Sequence, residues 1–161
     1  MVSAWSQITA ALAAEFSDIP NLADWVRITV RLSLTAVLGA LLGIEREAKG
    51  KAASVRTHMR VALGCAMFVL IPQMSGTSNA DLTRVIQGII ASVGFLGAGT
   101  ILKGRDEEHV RGLTTAAGIF MTAAIGVAAG LGREATALFS TLLALAIFAI
   151  APRIVSWFEN K

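Results

Sequence analysis

The chain has 161 residues, of which 55% are hydrophobic and 16% charged, with a formal net charge of +3. An ordinary soluble domain carries roughly 25% charged residues, so a mean hydropathy of +0.67 leaves lipid as the place for this much apolar surface. The positive charges are split among separate connections without interleaved aromatics, which excludes a nucleic-acid footprint and a nucleic-acid partner.

The first element is amphipathic. Trp5, Ile8, Leu12 and Phe16 fall at helical spacing along one face, and the break at Pro20 ends the run. No Lys or Arg precedes it, and Glu15 and Asp18 interrupt it, so it is not a cleaved signal peptide. The pattern predicts a short helix lying on the membrane surface. Asp24, Arg27 and Arg31 follow at spacings of three and four, a set suited to anchoring at the interface.

Five apolar stretches come next, predicting spans at about 28–45, 58–75, 83–102, 113–131 and 135–152. A spanning helix needs roughly 20 mainly apolar residues, fewer when flanking side chains snorkel. The expected fold is an all-α integral membrane protein: five transmembrane helices in a small glycine-rich bundle, with a short N-terminal interfacial helix. Residues 1–23 form an N-terminal periplasmic or interfacial segment and 24–161 the five-span domain.

Lys and Arg concentrate in two connections. Arg46, Lys49, Lys51, Arg56 and Arg60 lie in or beside the first, and Lys103, Arg105 and Arg111 in the third. The second offers Arg84 and the fourth Arg133. By the positive-inside rule the rich connections are cytoplasmic, which places the N-terminus in the periplasm and the C-terminus in the cytoplasm. Trp25 and Trp157 then fall at the two interfaces.

The stretch "GFLGAGTILKGRDEEHVRGLTTAAG", residues 94–118, lacks the Walker spacing and the dinucleotide fingerprint. Its glycines belong to a different pattern. Gly39 and Gly43 are four apart in the first span, and Gly94, Gly97 and Gly99 crowd the third. In the fourth, Thr114, Gly118, Thr122, Gly126 and Gly130 form a ladder at intervals of four. Such stripes let helix backbones approach closely where lipid offers no hydrophobic drive between helices. The hairpins "GALLGIEREAKGKAASVRTH" and "GFLGAGTILKGRDEEHVRGLTT" also share an order of glycine-rich helix, charged loop, Val-Arg and Thr. That order is compatible with a parallel duplication.

Chemistry-bearing sets are few. Cys65 is alone, which excludes a disulfide and a cysteine-based metal site. His58 and His109 lack zinc-ligand spacing. Asp106, Glu107 and Glu108 are the candidate carboxylates for a hydrated Mg²⁺, against a reading as a solvated loop. No nucleophile or acid–base constellation stands out, so no enzyme is expected.

Four segments carry a family resemblance: "RLSLTAVLGALLGIERE" (31–47), "VRTHMRVALGCAMFVL" (55–70), "GIIASVGFLGAGTILK" (88–103) and "VRGLTTAAGIFMTAAIGVAAGLG" (110–132). Together they resemble the MgtC/SapB family of bacterial inner-membrane proteins, in a short form lacking the ACT-like C-terminal domain that many members carry. The resemblance implies adaptation to low magnesium and, in pathogens, survival inside macrophages. It also implies action as a regulator of another membrane complex, the rotary ATP synthase, with magnesium transport as the older assignment. Thr114 stands where some virulence-associated members have a functionally sensitive Asn.

A polar cytoplasmic site is expected from Glu45, Arg46, Glu47, Arg56, Thr57, Arg111 and Thr114. In it Arg56, Arg111 and Thr114 gather beside two helix starts, and Glu45 serves as internal counter-ion. Helix starts and arginine forks favour anions, here an anionic lipid head group or a partner's carboxylate. The plainer reading is that Glu45 locks the two hairpins together. Two function classes follow: a regulatory interaction protein, or a Mg²⁺ or other cation transporter formed by an oligomer. The span middles contain no Asp, Glu, Lys or His, whereas coupled transporters place ionisable groups there; this favours the first class. The expected partners are the lipid bilayer, further copies of the chain (a dimer among the options) and a membrane protein such as ATP synthase. No cofactor beyond Mg²⁺ is implied.

Overall fold

The computed structural model describes residues 3–103 and 110–159. Contacts divide the chain into two compact units, residues 1–30 and 31–161.

In the first unit, α1 (Ala4–Glu15) begins at Ser3, whose hydroxyl accepts from the Ser6 N–H at 3.2 Å. Trp5, Ile8 and Leu12 on this helix are all exposed. α2 (Leu22–Ala48) starts after Pro20. Asn21 accepts from the Asp24 N–H at 2.9 Å, and the Asp24 carboxylate takes a 2.6 Å bond from Arg27. An acceptor side chain satisfies a first-turn donor, and a carboxylate there suits the helix dipole.

The second unit takes the rest of α2 and adds α3 (Val55–Met74), α4 (Asn79–Ala98), a two-residue ribbon, α5 (Leu113–Gly130) and α6 (Glu134–Glu159). The ribbon pairs β1 (Leu102–Lys103) with β2 (Val110–Arg111) antiparallel, Leu102 opposite Arg111. α2 to α6 are five helices long and apolar enough to cross a membrane, so the fold is an all-α membrane bundle. α2 and α4 start earlier than the sequence expectation, at Leu22 and Asn79, and two C-terminal ends also differ from it. α4 stops at Ala98, where the Thr100 hydroxyl donates to the Gly97 carbonyl and the chain leaves for the ribbon. α6 instead continues through Pro152 to Glu159; residues 153–158 past the proline are exposed.

α5 is the hub. Half of its apolar window is buried, against 11% for α6 and 17% for α4. Glycine makes this possible. A Cβ on Gly126 would strike the Ala62 carbonyl oxygen and come within 2.9 Å of the Ala62 Cα. One on Gly130 would strike the Ala66 carbonyl oxygen and stand 2.6 Å from Val69. α3 and α5 therefore run backbone against backbone. α2 meets α3 the same way, with 3.0 Å from a Gly39 Cβ to the His58 oxygen and 2.5 Å from a Gly43 Cβ to the Val55 Cα. Such closeness maximises the dispersion contacts that drive association in lipid.

Other small residues play no such part. A Cβ on Gly94 would meet nothing within 4 Å, and one on Gly99 would meet carbonyls of its own helix end. Both were expected to pack against a neighbouring helix; both face outward instead. Gly97 lies at ordinary distance, 3.5 Å, from Ala116. The ladder in α5 starts one position later than its spacing suggested: Thr115 is buried and Thr114 exposed. Around these contacts lie two apolar clusters. Leu38, Leu42, Ile125 and Ala129 belong to one, and Val69, Val93, Ile119 and Ala123 to the other.

Candidate functional site

Residues 50–53 of the first connection lie beside Thr100 and Arg111 at the described ends of the third. Ala52, Ala53, Thr57, Leu96, Gly99 and Thr100 share one hollow. Gly50, Lys51, Ala52, Thr100, Arg111, Gly112, Leu113, Thr114 and Thr115 share a second, of about 570 Å³. This basic end of the bundle holds the polar groups singled out in the sequence, but in a different partnership.

Glu45 is committed to its neighbour. Its Oε2 accepts from both Nε and Nη2 of Arg46, each at 2.5 Å. Arg46 is only 5% exposed, and its guanidinium carbon sits 3.8 Å over the Phe148 ring. A planar, weakly hydrated cation is suited to this stacking. Glu45 is therefore not the counter-ion of Arg56 or Arg111. Among the described residues those two arginines make no ion pair, and both are exposed. Adjacency decides this: Arg46 reaches Glu45 along the same helix end, while Arg56 starts α3 pointing outward.

Glu47 has a separate task. Its Oε2 accepts from the Val55 N–H at 2.9 Å, capping α3 where Ser54 provides no side-chain cap. Thr57 is half-buried, its hydroxyl 3.4 Å from that of Ser54. The seven expected site residues thus separate. Glu45 and Arg46 form a buried pair, Glu47 a cap, Thr57 part of one hollow, and Arg111 with Thr114 part of the other; Arg56 lines neither. Asp106, Glu107 and Glu108 lie outside the described residues.

Sequence reasoning missed His58. It is 1% exposed, and its Nδ1 lies 2.7 Å from the Thr122 hydroxyl. That hydroxyl donates to the Gly118 carbonyl at 2.9 Å. A hydroxyl has one proton to give, so Nδ1 is the donor to Thr122, and Nε2 is left without a partner in the described chain. Gly118 faces this pair at ordinary contact distance. A Cβ there would stand 3.7 Å from both Arg46 Cδ and His58 Cε1, and 3.8 Å from Phe148. The only signal in the sequence was the alignment of Gly118 and Thr122 one turn apart.

At the opposite end Arg31 is more than an interfacial anchor. Nη1 donates to Gln73 Oε1 at 2.8 Å and to the Gly130 carbonyl at 3.0 Å, and Nε lies 3.6 Å from Glu134. One side chain joins α2, the last turns of α3 and α5, and the start of α6. Gly132, at φ +77°, leaves space for the guanidinium. A cation on the last carbonyls of α5 complements that helix's dipole.

The MgtC family profile matches residues 32–157. The chain is 43% identical over 152 residues to SrpB of Synechococcus elongatus, covering 86% of this chain and 83% of that protein. It is 31% identical to YhiD of Escherichia coli K12, named as a candidate magnesium transporter, covering 82% of this chain and 64% of that one. It is 41% identical to MgtC of Salmonella typhimurium LT2 over 72% of this chain and 48% of that one. It thus spans most of SrpB but about half of MgtC. No solved structure matches it. The five apolar helices and the match along almost the whole bundle make this chain a membrane protein of the bacterial MgtC family.

Proposed function

We propose that this protein is a regulatory interaction protein of the bacterial inner membrane, serving adaptation to low magnesium by binding another membrane complex, such as the rotary ATP synthase. Its N-terminus faces the periplasm and its C-terminus the cytoplasm, and it works as a homo-oligomer. One observation carries the reading. The charges at the two ends of the second unit are paired, the buried Arg46 with Glu45 and the partly buried Arg31 with Glu134, and α3 and α5 are in backbone contact between them. Ion pathways need ionisable groups free to meet a cargo near the bilayer centre. Groups already paired serve rigidity, and a rigid bundle suits a docking partner. The name of YhiD favours a second reading, magnesium transport. The two separate in proteoliposomes loaded with a Mg²⁺-sensitive dye. The regulatory reading expects flux no higher than in protein-free vesicles, together with recovery of a membrane complex in a pull-down from native membranes at limiting Mg²⁺. Flux above that of protein-free vesicles overturns it.

A further inference from the structure

We infer that the hollow between the first and third connections is a phosphate-binding site, a property that stands whether or not the regulatory reading holds. The hollow is built around the start of α5. Gly112 occupies the N-cap at φ +96° and provides no side-chain cap. A Cβ there would collide with the Thr100 carbonyl oxygen, so the Ser, Thr, Asp or Asn that usually caps a helix cannot stand at this position. The intrahelical ladder opens with the Ala116 N–H on the Gly112 carbonyl, at 2.9 Å. The N–H groups of Leu113, Thr114 and Thr115 precede that bond and are left for a group from outside the helix.

A second observation points to a ligand. Thr115 lines the hollow, is only 3% exposed, and its hydroxyl has no hydrogen-bond partner among the described residues. The other three buried threonines each donate to the carbonyl one turn back: Thr35, Thr122 and Thr141. Thr115 is the exception among the four, making no such bond within its helix. Lys51 and Arg111 line the same hollow, and no carboxylate is among the described residues that line it. Backbone donors, a hydroxyl, a point cation and a planar fork are together the recognition set of a phosphate. The neighbouring helix start shows how the fold treats such donors, for there the Glu47 carboxylate takes the Val55 N–H. The volume, about 570 Å³, accommodates a phosphate with its ester substituent. The group is either the head group of an anionic phospholipid or free phosphate.

The test is calorimetric titration of the full chain in detergent micelles with dioctanoyl phosphatidylglycerol, and separately with inorganic phosphate. Saturable binding is expected. Binding of the lipid alone assigns the head group as source, and binding of both shows that free phosphate suffices. Arg111→Gln and Thr115→Val should each weaken binding roughly tenfold, as loss of a charge-assisted or buried hydrogen bond does. Arg133→Gln, outside the hollow, should leave it unchanged. Thr115→Val is nearly isosteric, and unchanged melting without ligand separates lost binding from lost folding. Saturation by neither compound overturns the proposal. So does affinity that both Arg111→Gln and Thr115→Val leave as it was.

Discussion

Arg46 shows how a charge is kept inside an apolar bundle. Its Nε and Nη2 are directed at an acceptor one residue away, and its flat face rests on Phe148, so desolvation is offset on two sides. Removing one partner of such a pair costs about 3–5 kcal/mol, because the other is left buried and alone. Arg46→Met should therefore lower the melting temperature sharply in detergent, since Glu45 Oε1 is already buried without a partner. The double variant Arg46→Met with Glu45→Gln removes the stranded charge and should recover part of the loss. A double variant no more stable than Arg46→Met would show that the pair is not what stabilises this corner. His58 and Thr122 make the same point without charge. Their bond was invisible in one dimension because 64 residues separate them.

At the scale of elements, the contact of α3 with α5 is decided by two glycines. The Gly126 position has no space for a methyl group, because Ala62 backbone lies there, whereas Gly97 has ordinary van der Waals clearance from Ala116. Gly126→Ala should thus destabilise by about 1–3 kcal/mol, the usual cost of overpacking, while Gly97→Ala should be mild. Thermal melting monitored by circular dichroism checks both, and equal melting of the two variants would contradict the close approach. The spacing of the small residues revealed that α2 and α5 have packing faces. It did not reveal that Gly94 and Gly99 lack one, because a stripe tells which residues are small but not whether a helix lies opposite. α4 turns Gly97 toward Ala116 of α5 but carries Gly88 and Gly94 where no described neighbour lies within reach of a Cβ.

For the whole molecule, the charge asymmetry between connections predicts orientation. A C-terminal green fluorescent fusion should be bright and a C-terminal alkaline phosphatase fusion inactive; the reverse pair would require the opposite insertion. That prediction needs no tertiary structure, and neither did the five spans or the family, since composition and helical period are properties of the linear chain. Helix ends were less legible: α4 stops short and α6 runs on, because caps and exposure settle termini. Partnership was decided only by the tertiary structure. The sequence put Glu45, Arg56, Arg111 and Thr114 in one neighbourhood, but a neighbourhood contains more cations than one carboxylate can serve. Which of them wins depends on side-chain reach and direction once the helices are packed. The structure awarded Glu45 to Arg46, turned Glu47 into a cap, made Arg31 a tie between helix ends, and left Arg111 open to the hollow beside Thr115.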